Sequence, residues 1–346
     1  MENLYTLDNI YHIIKTLDKR EYTRLYSVTN MINHNEYTAL ARINDDQDNF
    51  QHELHMTTMA SGLNHPNLIH LVGHGVGTLR DRGKVFDKVN YLILESCPRG
   101  VLSDYVQYGR FTERQAKYIF RKILLGVQAL HGAGYCHRQL RVDNILLDQN
   151  FNPKIINFNF TTLFQQNNQP ILLNDFIDNR QYSSPQNLEH EPYNGEKADI
   201  FSLGAILFTL VTGKFGFESA KKYDAIYSHI YEDDGKYWNI FQYNLLDLNL
   251  TENFKNLYIS MVDYHENKRP NIAQVLSHHW FDEINNLDNQ ELGQLQLELR
   301  NEFLARFNQI TQLNQNLNNI HNNDNNNNNN NNDNNNNNDN ADNNDN

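Results

Sequence analysis

The feature that most constrains the fold is a helical pattern followed by a polar loop and a hairpin pattern. Thr112 and Gln115 form the capping box that starts a helix, and apolar residues then repeat at helical spacing up to Gly132. The polar loop reads His-Arg-Gln-Leu-Arg-Val-Asp-Asn over residues 137–144. Turn residues then separate two short apolar runs within residues 144–156, as in a β-hairpin. The sequence therefore predicts an amphipathic helix that leads into a polar loop held by a small hairpin.

The acidic composition narrows the classes of partner. The 346 residues carry a formal net charge of −13, whereas nucleic acid and anionic membranes require clustered Lys and Arg. No apolar run approaches a membrane span, and the N-terminal Met-Glu-Asn-Leu is neither a signal peptide nor a myristoylation site. We therefore expect a cytoplasmic protein that binds neither nucleic acid nor membrane. Cys97 and Cys136 are too few for a disulfide framework and are expected to be buried thiols.

Shorter motifs flank this segment in a fixed order. They lie at residues 63–71, 91–95, 184–186, 199–204, 268–270 and 279–281. Together with residues 137–160 they resemble the ordered motifs of protein kinases, most closely serine/threonine kinases of the calmodulin-dependent and AMP-activated type. One such match would be weak evidence, whereas so many in register make chance implausible. The resemblance spans residues 11–281 and implies an α+β fold with a small β-rich N-lobe and a larger helical C-lobe.

The resemblance fails at the carboxylates that kinase chemistry uses. In kinases, an Asp in the polar loop accepts the substrate proton, and the Asp of Asp-Phe-Gly binds the metal that bridges the phosphates. These positions are Gln139 and Asn157 here, and Asn159 replaces the glycine. An amide cannot ionise, so Gln139 cannot act as a general base and Asn157 offers magnesium only a neutral oxygen. Asn144 matches the second metal ligand but cannot hold a metal alone, so no metal site is predicted.

The resemblance also identifies changes in the N-lobe. Residues 17–26 align with the glycine-rich loop that covers the phosphates and place Asp18, Arg20 and Thr23 at its three glycine positions. Larger side chains therefore fill the phosphate cradle. Residues 37–43 resemble the Val-Ala-Ile-Lys strand and put Ala41 at the position of the phosphate-binding lysine.

The partner of that lysine is expected to be apolar as well. Counting back from Pro66 puts Met56 at the position of the glutamate in the next helix. Replacing both members of a buried ion pair by packed apolar groups can be neutral or stabilising by roughly 1–4 kcal/mol. Glu53, one helical turn earlier, is an alternative register, but it would face an alanine. The sequence therefore predicts a rebuilt apolar core at this point.

The apolar framework of the kinase site is retained. The residues that the resemblance assigns to the adenine pocket, including the gatekeeper Leu94, are Leu25, Ala39, Leu94, Leu102 and Leu146. His137 and Phe158 match members of the hydrophobic column that aligns the lobes, with Asp199 as its anchor. No cofactor is expected, but weak ATP binding without metal, through Lys19 and Arg20, stays open as an alternative.

Two C-lobe positions bear on stability and regulation. Gln186 replaces the glutamate of Ala-Pro-Glu, so Arg269, which resembles its ion-pair partner, is left with a neutral amide. Asp175 occupies the position of a phosphorylated threonine, and Arg138, which usually binds that phosphate, is present. Either Asp175 pairs with Arg138 permanently, or Asp175 is solvated in a mobile loop. The second interpretation is slightly favoured.

Two segments follow the kinase-like domain. Residues 288–320 have apolar residues at alternating three- and four-residue steps, which predicts an amphipathic helix. This helix either packs against the C-lobe or self-associates as a coiled coil, and the first is favoured because Gln296 and Arg306 interrupt the seam. Residues 321–346 are almost entirely Asn with scattered Asp, a low-complexity composition that predicts disorder.

The sequence therefore predicts an inactive serine/threonine-kinase-like protein, a pseudokinase, which is not an enzyme. It would act in signalling by binding a protein partner, as an allosteric module or scaffold. Two alternatives stay open. One is a nucleotide-binding switch or residual kinase that binds ATP without magnesium, and the other is a structural scaffold that oligomerises through residues 288–320.

Overall fold

Six strands form a closed barrel in the N-lobe, with one helix inserted after the fourth strand. The computed structural model describes residues 5–43, 47–167, 169–242 and 249–335. The N-lobe elements are β1 (Thr6–Leu7), β2 (Tyr11–Lys19), β3 (Thr23–Asn30), β4 (Glu36–Arg42), α1 (Gln47–Gly62), β5 (Leu71–Asp81) and β6 (Lys84–Leu94). The strands pair in the order β1-β2-β3-β4-β6-β5, and β1 closes the barrel by pairing with both β2 and β5.

Apolar and tyrosine side chains fill the barrel. The buried cluster consists of Leu7, Ile13, Tyr26, Val28, Ala39, Ala41, Ile43, Leu79, Val89, Tyr91 and Ile93. The residue after β1, Asp8, accepts a hydrogen bond from the Tyr91 hydroxyl at 2.8 Å and donates its backbone N–H to Thr78. Gly77 permits this approach, because a Cβ there would collide with the Asp8 side chain. The strand that closes the barrel, β1, thus lies before residue 11, where the predicted kinase-like domain begins.

The C-lobe is mainly helical, and helix α5 runs through its core. Its helices are α2 (Leu102–Gln107), α3 (Glu113–Gly132), α4 (Pro185–Leu188), α5 (Gly195–Thr212), α6 (Ser228–Tyr231), α7 (Tyr237–Gln242), α8 (Glu252–Met261), α9 (Ile272–Leu276) and α10 (Asp282–Asn285). Every residue of α5 from Ala198 to Thr212 is buried. The two lobes together give the α+β architecture that the sequence predicted.

Short two-stranded sheets support the loops of the C-lobe. The pairs are β7 (Tyr135–Cys136) with β10 (Thr162–Leu163), β8 (Ile145–Leu147) with β9 (Pro153–Ile155), β11 (Gln165–Gln166) with β12 (Gln169–Pro170), and β13 (Leu172–Leu173) with β14 (Tyr193–Asn194). The β8–β9 pair is the predicted hairpin. The polar loop of residues 137–144 lies between β7 and β8, so both of its ends are held by strands.

Local sequence signals are confirmed at helix α3. The Thr112 hydroxyl accepts the Gln115 N–H at 3.2 Å, and Gln115 Oε1 accepts the Thr112 N–H at 3.0 Å. The helix ends at Gly132, as its periodicity predicted. Cys97 and Cys136 are free and buried. Within the described ranges, no helix has both the length and the apolar character needed to cross a membrane.

The last helix, α11 (Asn289–Asn335), covers residues 289–320 of the predicted amphipathic helix and continues beyond it. The chain divides within this helix into two units, residues 1–297 and 298–346. The helical backbone thus enters the Asn-rich segment for which the sequence predicted disorder. Asn is a weak helix former, but extending an existing helix avoids the cost of a new nucleus. Residues 336–346 lie outside the described residues, and their disorder and any self-association stay predictions.

Candidate functional site

The loop of residues 137–144 is fixed by the fully buried carboxylate of Asp199, in the first turns of α5. This carboxylate accepts the backbone N–H groups of His137 and Arg138, both at 2.7 Å. The His137 ring packs against Phe158 with ring centroids 5.2 Å apart, and both side chains are fully buried. The predicted column of His137 and Phe158, anchored by Asp199, is confirmed. It aligns the polar loop with the segment that begins at Asn157.

Three amide side chains form a hydrogen-bonded cluster where kinases carry acids and a metal. Asn157 Nδ2 donates to Gln139 Oε1 at 2.7 Å and to Asn144 Oδ1 at 3.2 Å. Asn144 Nδ2 donates to the backbone oxygen of Gln139 at 2.8 Å. Asn159, at the glycine position, is half-buried with an enclosed Oδ1. Because each amide can both donate and accept, the three side chains bind one another without a carboxylate among them.

The structure corrects the positions predicted for the lysine–glutamate pair. Ala41 faces the barrel interior, and Met56 is a buried apolar residue of α1. The ion pair is instead formed by Arg42 and Glu53, with contacts of 2.7 Å from Arg42 Nε to Glu53 Oε2 and from Nη2 to Oε1. Side chains alternate along a strand, so a shift of one residue exchanges the two faces of β4. The lysine position is therefore occupied by Arg42, a residue that the sequence analysis missed.

Arg42 also reaches the C-lobe. Its Nη2 donates to Asn157 Oδ1 at 3.0 Å, and its Nη1 donates to the hydroxyl of Thr23 at 2.8 Å. The Arg42 side chain is 11% exposed and that of Glu53 only 1%. A single guanidinium group therefore connects β4, α1, the start of β3 and the amide cluster.

Arg20 makes a second connection between the lobes. Its Nη1 donates to Asn144 Oδ1 at 2.9 Å and its Nη2 to the backbone oxygen of Asp143 at 2.7 Å. Its Nε donates to Asp18 Oδ2 at 2.7 Å. The residues predicted at the three glycine positions, Asp18, Arg20 and Thr23, thus belong to the guanidinium network. Arg20, which the sequence analysis named with Lys19 as an alternative contact for ATP, thus binds groups of the protein.

The residues at this site do not fit the magnesium ion that kinases use. The oxygens at the two ligand positions are the neutral amide oxygens of Asn144 and Asn157, and both accept hydrogen bonds from arginine. Magnesium requires octahedral oxygen ligands and usually one or two carboxylates. The two arginine charges are already balanced by Asp18 and Glu53.

The apolar lining of the predicted nucleotide pocket is closed. The side chains of Leu25, Leu94, Leu102 and Leu146 are at most 3% exposed. Ala39 does not belong to this lining, because it faces the barrel interior. On the opposite face of β4, the 2% exposed Leu40 pairs across the sheet with Leu25. Since a leucine stands where the kinase pattern has alanine, adenine could enter only if these side chains moved apart.

Asp175 forms an ion pair with Arg138 although more than half of its side chain is exposed, so the slightly favoured interpretation of an unpaired Asp175 is wrong. Arg138 Nη1 lies 2.5 Å from Asp175 Oδ1, and Arg138 Nε donates to the backbone oxygen of Phe160 at 2.7 Å. The Tyr193 hydroxyl donates to the backbone oxygen of Asp175 at 3.3 Å. The Arg138 side chain is 8% exposed and that of Asp175 58%. The pair connects the loop of residues 137–144 to the segment after Phe158, and whether it orders that segment without phosphate stays a prediction.

Gln186 contacts Arg269 as predicted. Arg269 Nη2 donates to Gln186 Oε1 at 2.7 Å, and Gln186 Nε2 donates to the backbone oxygen of Tyr264 at 2.6 Å. The guanidinium carbon of Arg269 also lies 5.0 Å from the centre of the Phe201 ring. Burial lowers the pKa of Arg269 to about 10.

Comparison with known proteins places this geometry in a family. The family model described as "Protein kinase domain" matches residues 11–281. The chain is 30% identical over 219 residues to human "NUAK family SNF1-like kinase 1", covering 62% of this chain and 31% of that protein. It is 29% identical over 217 residues to "CBL-interacting serine/threonine-protein kinase 13" of Arabidopsis thaliana, covering 63% and 39%. The chain thus spans between 31% and 39% of the length of these relatives.

These findings correct the expectation that the chain is not an enzyme. The family match and the serine/threonine kinase relatives point to a protein kinase, although 30% identity does not by itself establish phosphoryl transfer. They agree with the two-lobed fold, the fixed polar loop and the Arg42–Glu53 pair described above. The chain therefore belongs to the protein kinase family.

Proposed function

We propose that this chain acts in signalling as a kinase-family module that binds a protein partner, in an allosteric or scaffold role. It would do so through a lobe arrangement that its own side chains hold. The observation that carries this proposal is the position of Arg42, which contacts Glu53 of α1 and Asn157 of the C-lobe at once. In kinases, such lobe closure involves nucleotide and metal.

Other contacts support a fixed binding surface. His52 of α1 donates through Nε2 to the backbone oxygen of Thr161 at 3.1 Å, which ties this helix to the C-lobe. The Arg138–Asp175 pair holds the following segment. Helix α1 and this segment are therefore held by contacts within the chain. A partner that recognises them would bind without a nucleotide signal.

A second candidate is a kinase that binds ATP without magnesium. The Arg42–Glu53 pair favours it, because the corresponding pair must be in place for phosphoryl transfer in kinases. The closed apolar lining around Leu40 and the arginine contacts to Asn144 and Asn157 favour the binding module instead. Either role fits a cytoplasmic location, since free thiols persist in reducing compartments.

The test compares partner capture by the full chain and by the Arg42→Ala variant in lysate of its native cell. A matched control is Lys84→Ala, which removes one positive charge from an exposed N-lobe position. We expect partners captured by the wild type and by Lys84→Ala to be lost with Arg42→Ala, and capture to be independent of added ATP and magnesium. Equal capture by all three proteins, or capture that requires ATP, would contradict the binding module.

A parallel assay addresses the second candidate. Radiolabelled phosphate transfer is measured with ATP, with and without magnesium. Transfer that scales with the amount of protein and is lost in Arg42→Ala would favour the kinase. A denatured sample and the Lys84→Ala variant serve as controls for contaminating kinases and for loss of charge.

A further inference from the structure

We infer that Arg20 is a tethered cation that takes the place of a metal ion at Asn144. It locks the turn between β2 and β3 onto the loop of residues 137–144. This inference goes beyond the proposed function, because it concerns contacts inside the chain and holds whichever partner binds.

Contacts within the N-lobe orient the Arg20 guanidinium toward the C-lobe. Asp18, two residues earlier, accepts Arg20 Nε at 2.7 Å and so leaves both terminal nitrogens directed to the C-lobe. These nitrogens bind Asn144 Oδ1 at 2.9 Å and the backbone oxygen of Asp143 at 2.7 Å. The planar guanidinium presents its donors as a rigid fork, which suits two neighbouring oxygens. The side chains of Arg20 and Asp18 are 33% and 26% exposed, so the connection is partly shielded from water.

The acceptor capacity of Asn144 is fully used. Its Oδ1 accepts from Arg20 Nη1 at 2.9 Å and from Asn157 Nδ2 at 3.2 Å. An amide oxygen has two lone pairs, so these two donors occupy both of them. A metal ion could bind this oxygen only by displacing at least one donor.

The two arginine charges at the site would also repel a metal ion. A cation between Asn144 and Asn157 would lie close to the guanidinium groups of Arg20 and Arg42, which donate to these same oxygens. Like charges a few ångströms apart repel strongly where water is partly excluded. The arginines thus bridge the N-lobe and the two amide oxygens as a metal ion would bridge its ligands, but they are covalently attached and always charged.

The test uses hydrogen exchange of the full chain in residues 17–25 and 137–145. Arg20→Ala removes the fork, and we expect exchange in both segments to become roughly tenfold faster, as for loss of a charge-assisted hydrogen bond. Arg20→Lys keeps the charge but not the fork, so exchange should fall between the wild type and Arg20→Ala. Lys84→Ala, the exposed N-lobe control, should exchange like the wild type.

The metal itself provides the second measurement. Magnesium chloride, compared with sodium chloride at equal ionic strength, should leave exchange at residues 137–145 of the wild type unchanged. Slower exchange with magnesium would mean that the ion binds there, and it would overturn the inference. Equal exchange in Arg20→Ala and Lys84→Ala would also overturn it, because the arginine would then hold nothing.

Discussion

Gln186→Glu should stabilise the protein, because it gives the buried Arg269 a charge partner. Arg269 is 2% exposed, and its guanidinium donates to Gln186 Oε1 and to the backbone oxygens of Lys197, Asp263 and Tyr264. Burial lowers the pKa of Arg269 to about 10. A change of this size corresponds to roughly 3 kcal/mol against the charged form in the folded protein. A carboxylate beside Arg269 would offset part of this desolvation cost.

The expected gain is smaller because the substitution also removes a hydrogen bond. Gln186 Nε2 donates to Tyr264 O at 2.6 Å, and an ionised glutamate cannot donate. The bond from Arg269 to Gln186 Oε1 already has a charged donor, so a carboxylate adds only the attraction between opposite charges, whereas the lost neutral bond to Tyr264 O costs roughly 0.5–1.5 kcal/mol. We therefore expect a net gain of about 1 kcal/mol, which corresponds to an increase in Tm of about 2–4 °C.

Thermal unfolding of the wild type and Gln186→Glu at neutral pH measures this gain. The control is Gln51→Glu, which adds the same charge at an exposed position of α1. Arg269 should hold the pKa of the new glutamate below its unfolded value of about 4.3, so the stabilisation is present above that pH. It is then lost as the pH falls through the lower folded value. An unchanged or lower Tm for Gln186→Glu at neutral pH would refute this reasoning.

The other two predictions concern the ion pairs of the site. Arg42→Ala should destabilise by roughly 3–5 kcal/mol in urea unfolding, because it leaves the buried Glu53 carboxylate unpaired. The double variant Arg42→Ala/Glu53→Gln should recover part of this loss, and equal losses in the two variants would contradict the ion pair. Asp175→Asn and Arg138→Met should each speed hydrogen exchange across residues 160–182 by similar amounts. The effect should stay within ~1 kcal/mol and shrink with salt, because Asp175 is 58% exposed. No change in either variant would leave Arg138 without a role in ordering this segment.

The parts of the fold that depend on neighbouring residues could be predicted from the sequence. The capping box of Thr112 and Gln115, the helical spacing up to Gly132 and the β8–β9 hairpin all involve residues within a few positions of one another. Their geometry is set by local backbone hydrogen bonds, which the residue types favour directly. The amides that replace the catalytic carboxylates, Gln139 and Asn157, could also be identified from the sequence, because their positions follow from motif spacing.

The parts of the site that depend on strand register or on contacts between distant residues could not be predicted from the sequence. The ending Ala-Arg-Ile fits the kinase strand pattern in two registers one residue apart, and only the barrel decides between them. Ala39 and Ala41 face its interior, so Leu40 and Arg42 lie on the opposite face of the strand. Arg20 and Asn144 are 124 residues apart in the sequence, and no local signal indicates that they meet.

The amides and the arginines of the site depend on one another. Asn157 donates to Gln139 Oε1 and accepts from Arg42 Nη2, so it uses both halves of its amide. An ionised aspartate at residue 157 could only accept, and it would face the oxygens of Gln139 and Asn144 at distances of 2.7 and 3.2 Å. Kinases place a metal between such oxygens. Without one, a neutral amide is the side chain of this size that satisfies the arginine and its neighbours together.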